Sequence, residues 1–172
     1  NLLGSSMASM DMAEDRAQFI EVCKPLDFKI PRSGMASSLE EALKIAEDIG
    51  YPIICRPSYV LGGRRMEIVE ANEDLEGYFE KHGSFMTKQS PCLMDQFLEG
   101  GLEVDVDLVR GKDWSMVGGI VEHIEAAGVH SGDSMGVLPP QRLKPETSDK
   151  IESLSLQLAD SLKIIGFLNL QL

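Results

Sequence analysis

The amino-acid sequence predicts an α+β protein of two lobes, each built around an antiparallel sheet. Two observations lead to this prediction. Residues 28–83 contain short apolar runs and two amphipathic helical stretches in the order strand, helix, strand, strand, helix. Residues 102–109 begin with strict alternation of apolar and acidic side chains, and a turn at residues 110–113 joins them to a second apolar run. This is the pattern of an antiparallel strand pair.

In the first half of the chain, helices are predicted from their caps and breakers. Asp11 or Asp15 can serve the N-terminus of the first helix, and Ser38 begins a capping box with Glu41. Asn72 is expected to cap a third helix, and His82 at its end is expected to be a surface residue. The predicted elements are a helix from residue 11 to Pro25, an extended piece at 28–31, a helix from 39 to Gly50, strands at 53–55 and 66–69, and a helix at 73–81.

The second half of the chain is predicted to be richer in strands. The predicted elements are strands at 92–98, 102–109 and 114–123, a long helix that begins at Pro145, and a last strand that alternates apolar and polar residues to Leu172. The sequence starts with Asn1 and ends inside this alternation, so we expect it to be part of a longer polypeptide.

Composition limits the class of protein. The net charge is -12 and basic residues do not cluster, which argues against a nucleic-acid surface. No apolar run approaches the length of a membrane span, and no secretory signal is visible. Three cysteines lie far apart in apolar surroundings, which is typical of buried reduced thiols in a cytoplasmic protein: Cys23, Cys55 and Cys92.

The loop from Arg56 to Arg64, with the sequence RPSYVLGGR, joins two predicted strands. Its glycine pair allows the backbone to lie close to a bulky ligand, and backbone N–H groups beside arginines form an anion site. The loop could therefore be a flap over nucleotide phosphates. It is not a Walker loop, because no Gly-Lys-Ser/Thr follows it. Taken alone, the loop favours the simpler alternative of a hairpin turn with surface arginines.

The alternating strand places Glu103, Asp105 and Asp107 on one side of a sheet. Such a row suits a divalent metal or a pair of ribose hydroxyls, and the alternative is a solvated face. The alternative is favoured for Asp105 and Asp107, whereas both interpretations stay open for Glu103, which follows two glycines. His123 and His130 do not match a zinc pattern, and His130 is better explained as a polar contact to a nucleotide.

Four motifs together resemble the ATP-grasp unit of the carbamoyl-phosphate synthase large subunit. They are the Arg56–Arg64 loop, Asp95-Gln96-Phe97-Leu98, Glu103-Val104-Asp105-Val106-Asp107, and the run from Glu122 to Ser134, EHIEAAGVHSGDS. Leu3-Gly4-Ser5-Ser6 and Ala13-Glu14-Asp15-Arg16 are similar to the opening of that unit. The variants Tyr59-Val60-Leu61 and Ala126-Ala127-Gly128-Val129-His130-Ser131 resemble the second of the enzyme's two units, which phosphorylates carbamate.

The resemblance implies a role for each matching residue. Arg56 would contact ATP phosphates beneath the flap, and Asp95 to Leu98 would be the hinge that holds adenine, with Gln96 and Leu98 as the contacts. Glu103 would hold the ribose hydroxyls. The remaining matches are Gly128, Val129, His130 and Ser131 lining the nucleotide site, Gln171 as a ligand of the metal-bound ATP, and Arg16 near the acyl-phosphate site.

The resemblance also implies domains and cofactors. Residues 1–27 would be a loop and helix leading into the unit, 28–94 the small ATP-grasp lobe with the flap, and 95–172 the hinge and an incomplete second lobe. The cofactors would be ATP with Mg (or Mn). In this family a Glu and an Asn-Pro-Arg segment follow the last strand and help to carry the metal. The sequence ends before them, which implies weak nucleotide binding and no catalysis by these residues alone.

The full-length protein would be an ATP-dependent ligase of the cytoplasm. It would make carbamoyl phosphate from bicarbonate, ammonia and two ATP, for arginine and pyrimidine synthesis. Its partners would be carbamate or bicarbonate, the remainder of the large subunit and the glutamine amidotransferase small subunit, with no nucleic acid or membrane. The alternatives are another ATP-grasp carboxylase or ligase, which the Glu122–Asp133 run disfavours, and a non-catalytic nucleotide-binding module.

Overall fold

The computed structural model describes residues 3–57, 65–127, 129 and 133–172. The chain divides into two compact units, Asn1–Ile30 with Gly100–Leu172, and Pro31–Glu99. Each unit contains one four-stranded antiparallel sheet, which confirms the expected α+β class. Compact units need not coincide with the domains of a whole protein, so the division at 1–27, 28–94 and 95–172 stays a prediction.

The described residues form five α-helices, eight strands and two short 3₁₀ turns. The helices are α1 (Met7–Glu14), α2 (Arg16–Cys23), α3 (Leu39–Ile49), α4 (Asn72–His82) and α5 (Pro145–Ser161). The strands are β1 (Ser33–Ala36), β2 (Ile53–Pro57), β3 (Glu67–Val69), β4 (Cys92–Gln96), β5 (Val104–Arg110), β6 (Ser115–His123), β7 (Gly136–Val137) and β8 (Gly166–Gln171). Within this described part, no helix is both long and apolar enough to span a membrane.

In the Pro31–Glu99 unit, the strand order is β1-β4-β2-β3, and α3 and α4 pack against the sheet. Alternate side chains of β2 and β4 point inward because the side-chain period of a strand is two. Together with helix residues they form a fully buried core that includes Ile49, Ile53, Leu75, Tyr78 and Met94. Cys55 and Cys92 lie in this core, as expected, and the interaction with Cys92 together with burial raises the pKa of the Cys55 thiol.

The predicted cap of α3 is confirmed, whereas the predicted cap of α4 is wrong. Ser38 caps α3, because its Oγ accepts a hydrogen bond from the Glu41 backbone N–H at 3.3 Å. Asn72 does not cap α4; the N-cap is Ala71, and Asn72 is the first helical residue. The Asn72 side chain instead accepts a hydrogen bond from the Tyr51 hydroxyl at 2.8 Å, so it ties the helix start to a residue two positions before β2.

The expectation that His82 is a surface residue is wrong. His82 is 8% exposed, and its ring packs edge-on against Tyr78 with centroids 4.9 Å apart. Its Nε2 lies 3.0 Å from Oε1 of Glu67 on β3, which also accepts a hydrogen bond from Lys81. The last helical residue therefore faces β3 rather than solvent.

In the other unit, the strand order is β7-β6-β5-β8, and α5 packs against β5 and β6. Val104, Val106 and Leu108 of β5 are buried, and the intervening acidic residues lie on the opposite face, as the alternation predicts. The core also contains Leu158, Leu162 and Leu170. Helix α2 contacts α5, and Cys23 at its end is buried in this core.

Two expectations for the N-terminal residues are wrong. The single helix from Asp11 to Pro25 is two helices, because Asp15 leaves the helical conformation and its carboxylate caps α2 by accepting from the Gln18 N–H at 2.9 Å. The extended piece at 28–31 is not a strand; the first strand is β1. Phe28 and Ile30 instead pack against the core of their own compact unit, which also contains residues 100–172.

A β-bulge interrupts the pairing of β5 with β6. Arg110 pairs with Ser115 and Leu108 with Val117, but Asp107 pairs with Gly119, so Gly118 has no partner. One extra residue in a strand exchanges the faces on which all following side chains lie. Beyond the bulge, Glu122 therefore points to the buried side of β6, and His123 lies on the same face as the acidic residues of β5.

Residues near the N-terminus are hydrogen-bonded to the segment that enters β8. The Ser5 hydroxyl donates to the Ile165 carbonyl at 3.1 Å and accepts from the Ile165 N–H at 2.9 Å. Ser9, which is buried, donates to the Lys163 carbonyl at 3.2 Å. These bonds join positions about as far apart in the sequence as the chain allows, with separations of 160 and 154 residues.

The packing of β1 on α3 can be tested at Gly34. A Cβ at this position would lie 2.6 Å from Cγ2 of Ile45, well inside van der Waals contact. We expect Gly34→Ala to lower the free energy of unfolding by about 1–3 kcal/mol, because Ile45 must leave its rotamer. Gly77, inside α4 with open space around it, is the control: Gly77→Ala should raise stability by about 0.5–1 kcal/mol. Urea denaturation measures both, and an equal effect of the two substitutions would contradict the close contact.

Candidate functional site

The residues singled out from the sequence fall in both compact units. Arg56, Gln96 and Leu98 belong to the Pro31–Glu99 unit. The other unit holds Arg16, Glu103, Val129 and Gln171. Gly128, His130, Ser131 and loop residues 58–64 lie outside the described residues.

Arg56 lies on β2 and forms an ion pair with Asp95 of β4. Ile54 pairs with Asp95 and Arg56 with Leu93, so the two charged side chains are diagonal neighbours on the outer face of the sheet. Arg56 Nη2 lies 2.6 Å from Oδ2 of Asp95, whose side chain is 6% exposed. The Arg56 side chain remains 44% exposed. A buried carboxylate thus fixes the guanidinium at a position that an anionic ligand can reach.

Gln96 and Leu98 lie at the C-terminal end of β4. The Gln96 N–H donates to the Arg32 carbonyl at 2.8 Å, and the Phe97 N–H donates to the Pro52 carbonyl at 3.0 Å. These backbone bonds hold the segment in place on the sheet. Leu98, just beyond them, is 53% exposed, and such an apolar side chain is available to contact a flat apolar ligand.

The outer face of the β5–β8 pair collects polar side chains. Asp105 pairs with Gln171 and Asp107 with Asn169, so these side chains share one face with Glu103. Asn169 Nδ2 donates to Oδ1 of Asp107 at 2.9 Å. The side-chain oxygen of Gln171 is a hard donor of the kind that Mg²⁺ prefers, and the neighbouring carboxylates give this face a negative potential. The donor chemistry therefore fits a divalent cation, although no cluster of three or more His, Cys, Asp or Glu side chains suited to a metal occurs among the described residues.

His123 contributes to the same face and was not assigned a role from the sequence. Its Nε2 lies 2.9 Å from Oδ2 of Asp105, and its Nδ1 lies 3.4 Å from Oε2 of Glu103. The hydrogen bond with Asp105 and the charges of both carboxylates raise the pKa of His123, although burial opposes this shift. The register shift at Gly118 brings these groups together, and simple counting back from the turn would have placed Glu122 opposite Glu103 instead.

Glu122 is buried and holds the segment that follows β7. Its Oε2 accepts from the backbone N–H groups of Gln141 and Arg142 at 2.9 and 2.7 Å, and Arg142 Nε donates to Oε1 at 2.6 Å. Arg142 Nη2 also donates to the His123 carbonyl. The Arg142 guanidinium and these N–H groups lower the pKa of the Glu122 carboxyl. A buried carboxylate with this many donors is fully compensated.

Hydrogen bonds join the two ends of the loop that follows β6. The Ile124 N–H donates to the Met135 carbonyl at 2.9 Å, and the Met135 N–H donates to Oε2 of Glu125 at 2.8 Å. Strand β7 pairs with the end of β6 immediately afterwards. Val129, the one described residue between 128 and 132, is 37% exposed. The loop is therefore anchored at both ends on the strand that carries His123.

Comparison with protein families gives a match over most of the chain. The family model described as "Carbamoyl-phosphate synthase L chain, ATP binding domain" matches residues 15–172. The carbamoyl phosphate synthase large chain of Thermotoga neapolitana is 46% identical over 172 residues, which are 100% of this chain and 16% of that protein. The large chain of Archaeoglobus fulgidus is 47% identical over 170 residues, 99% of this chain and 16% of that protein.

A third relative has a shorter polypeptide. The "Carbamoyl phosphate synthase large chain, C-terminal section" of Methanocaldococcus jannaschii is 45% identical over 171 residues, 99% of this chain and 28% of that protein. In each of these relatives the matched region is less than a third of the protein.

Two solved structures share the fold at low sequence identity. The biotin carboxylase of Campylobacter jejuni, solved as a β-γ-ATP complex, matches with a TM-score of 0.82 and 18% identity, over 98% of this chain and 39% of that one. The biotin carboxylase domain of Hydrogenobacter thermophilus 2-oxoglutarate carboxylase was solved with MgADP, ADP and bicarbonate. It matches with a TM-score of 0.78 and 20% identity, over 98% of this chain and 38% of that one. The shared fold is ATP-grasp, as expected.

The contacts of His123 make stability depend on pH. Because its pKa is raised in the folded protein, the imidazolium stabilises the fold fully below the ordinary pKa of His, and this contribution is lost as pH rises through the folded-state value. We expect the urea midpoint of the wild type to fall more steeply than that of His123→Gln as pH rises from the ordinary pKa of His through the raised folded-state value. If the urea midpoints of the two proteins change equally with pH, His123 is not the source of this pH dependence of stability.

The buried position of Glu122 can be compared with an exposed glutamate. Glu122→Gln replaces one accepting oxygen by an amide that cannot accept, so a donor of the 141–142 segment loses its partner. Glu40→Gln removes an exposed pair with Lys44 at 2.8 Å and is the matched control. We expect a clearly larger drop in the thermal midpoint for Glu122→Gln than for Glu40→Gln, measured by circular dichroism. Equal drops would mean that the Glu122 carboxylate is not needed to hold this segment.

Proposed function

Because the chain belongs to the family of carbamoyl-phosphate synthase large-chain ATP-binding domains, we propose that it forms the unit that phosphorylates carbamate with MgATP. Two findings favour this second unit. The chain matches a relative named as the C-terminal section of the large chain at 45% identity. Its loop sequence from Ala126 to Ser131 also resembles that of the second unit.

The observation that carries the proposal is the shared outer face of β5 and β8. The residue proposed to hold the ribose hydroxyls, Glu103, and the residue proposed to hold the metal, Gln171, lie on this one face. Carboxylate oxygens accept hydrogen bonds from vicinal hydroxyls, and an amide oxygen ligates Mg²⁺. The face thus offers a binding group for each of two parts of MgATP.

We assign the other nucleotide contacts by the same correspondence. Arg56 binds phosphate oxygens, with Asp95 holding its guanidinium in place. Gln96 and Leu98 contact adenine at the end of β4, where backbone hydrogen bonds fix the segment. Val129, with Gly128, His130 and Ser131, lines the nucleotide site. Arg16, the first residue of α2, lies near the acyl-phosphate site.

Phosphoryl transfer requires positioning and charge neutralisation more than a nucleophilic side chain. Bound Mg²⁺ supplies much of the neutralisation, and Mn²⁺ is a possible substitute. The task of this chain's residues is to orient the phosphates and to offset their charge. Arg56 does so as a fixed cation, whereas the neutral amide of Gln171 would hold the metal through its side-chain oxygen on β8.

The role of the whole protein follows from the family. We propose that it is the large chain of a glutamine-hydrolysing carbamoyl-phosphate synthase, acting in the cytoplasm for arginine and pyrimidine synthesis. It would work with the rest of the large chain and with a glutamine amidotransferase subunit. A biotin-dependent carboxylase is the less favoured alternative, because identity to the carboxylase structures is 18–20% and to the synthase relatives 45–47%.

The role of Arg56 gives a test of the proposed unit. Carbamate phosphorylation runs in reverse as ATP formation from carbamoyl phosphate and MgADP, whereas bicarbonate phosphorylation appears as bicarbonate-dependent ATP hydrolysis. In the whole enzyme that carries this sequence, we expect Arg56→Ala to slow the reverse reaction by about 10- to 100-fold, the value of one charge-assisted hydrogen bond. Bicarbonate-dependent hydrolysis should change much less.

Lys44→Ala is the matched control for this test, because Lys44 is an exposed cation of the same unit that pairs only with Glu40 in the described contacts. We expect it to leave both reactions unchanged. A defect of Arg56→Ala confined to bicarbonate-dependent hydrolysis would assign the chain to the first unit. Wild-type rates in both reactions would show that Arg56 does not bind phosphate.

A further inference from the structure

His123 and Glu103 face each other across the β5–β6 ladder. The His123 N–H donates to the Glu103 carbonyl at 2.9 Å, directly before Val104 pairs with Glu122. Cross-strand neighbours of this kind project their side chains from the same face, with Cβ atoms about 4.5–5.5 Å apart. Asp105, two residues further along β5, projects from that face as well. The three side chains therefore form one group on the sheet surface.

Exposure increases steadily through this group. The side chain of His123 is 6% exposed, that of Asp105 18%, and that of Glu103 35%. The imidazole is thus the most deeply buried member of the group, and the Glu103 carboxylate is the member that a ligand can reach. Asp105 holds one ring nitrogen at 2.9 Å, and this fixes the ring plane. The other ring nitrogen, Nδ1, then faces Oε2 of Glu103 at 3.4 Å.

The arrangement suits a charged imidazole. An imidazolium has an N–H at each nitrogen, so it can serve both carboxylates at once, whereas a neutral ring has only one donor. In the described residues Nδ1 is buried and has no hydrogen bond of good geometry, although Glu103 lies at ion-pair distance. A small movement of the Glu103 side chain would complete the bond. The ring itself cannot move as freely, because Asp105 holds it.

We propose that His123 is a positioning residue for nucleotide recognition: Asp105 holds the imidazole, and the imidazole holds the Glu103 carboxylate in place for the 2′ and 3′ hydroxyls of ribose. This inference rests on the proposed role of Glu103 in binding ribose. The side chain of a glutamate on a strand can adopt several rotamers, and restricting it to one of them in advance removes part of the entropy cost of binding. His123 does not touch the nucleotide in this scheme and acts only through Glu103.

The test compares nucleotides with and without the ribose hydroxyls. In the whole enzyme that carries this sequence, ATP formation from carbamoyl phosphate is followed with MgADP and with the Mg complex of 2′,3′-dideoxy-ADP. The ratio of the two KM values measures the contribution of the hydroxyls. This ratio does not depend on how much of a variant is correctly folded, so a loss of stability alone would not change it.

We expect His123→Phe to reduce the preference for ADP by about two- to tenfold, the range for one immobilised side chain. Glu103→Gln should reduce it at least as much. The double variant should lose no more than Glu103→Gln alone, because both substitutions act on one contact. His123→Gln, which keeps an N–H donor, should recover part of the preference. Asp107→Asn, on the same face but bonded to Asn169, is the control and should match the wild type.

Each outcome decides between the two proposals. An unchanged KM ratio in His123→Phe, in an enzyme whose wild type and Glu103→Gln variant differ, would overturn the positioning role while leaving the ribose contact intact. Additive losses in the double variant would overturn it as well, because they would mean independent contacts. If the wild type forms no ATP from carbamoyl phosphate, the carbamate-phosphorylating function is wrong and this inference falls with it.

Discussion

The register of β5 against β6 is the constraint on which the candidate site depends. Neighbouring side chains at the end of β6 enter opposite environments, and the extra residue Gly118 decides which of them lies on which face. His123 meets the carboxylates of Glu103 and Asp105, and Glu122 turns into the protein, where Arg142 and backbone N–H groups surround it. Without the bulge, two glutamates would face each other across the ladder, an arrangement that like-charge repulsion disfavours. One unpaired glycine therefore separates the proposed recognition surface from a buried structural carboxylate.

An acidic chain that binds a polyanion has to solve an electrostatic problem locally. The net charge is -12, so long-range attraction does not bring a nucleotide to this protein. The proposed site contains two local solutions. Arg56 is fixed on its strand by the buried Asp95, which places a cation without the entropy cost of a free arginine. On the other sheet the excess acid would itself be useful in the proposed site, because it favours a divalent cation and hydroxyl donors over further phosphate contacts.

Much of the fold could be predicted from the sequence because its signals are local. The acidic alternation of β5, the cap at Ser38 and the proline at the start of α5 each act within a few residues. The predictions failed where contacts distant in sequence decide: Phe28 and Ile30 pack against the core of their own unit, built mostly from residues after position 100, and His82 contacts Glu67 of β3. The group around His123 was missed for the same reason, since neither the bulge nor the partner of a histidine is visible in a linear pattern. The motifs of the candidate site are weak singly, and only their order along the chain made the resemblance specific.

The unit made of Asn1–Ile30 and Gly100–Leu172 is interrupted in sequence by the unit Pro31–Glu99. Hydrogen bonds from Ser5 and Ser9 reach residues 163–165, so the first unit cannot close until almost the whole of this stretch has left the ribosome. The inserted unit needs only its own contiguous residues and is complete much earlier. Synthesis therefore imposes an order. The sheet bearing Arg56 can fold before the partner strands of the N-terminal helices have been synthesised. During that interval the apolar side of α2, including Cys23, lacks its native cover and is exposed to non-native contacts.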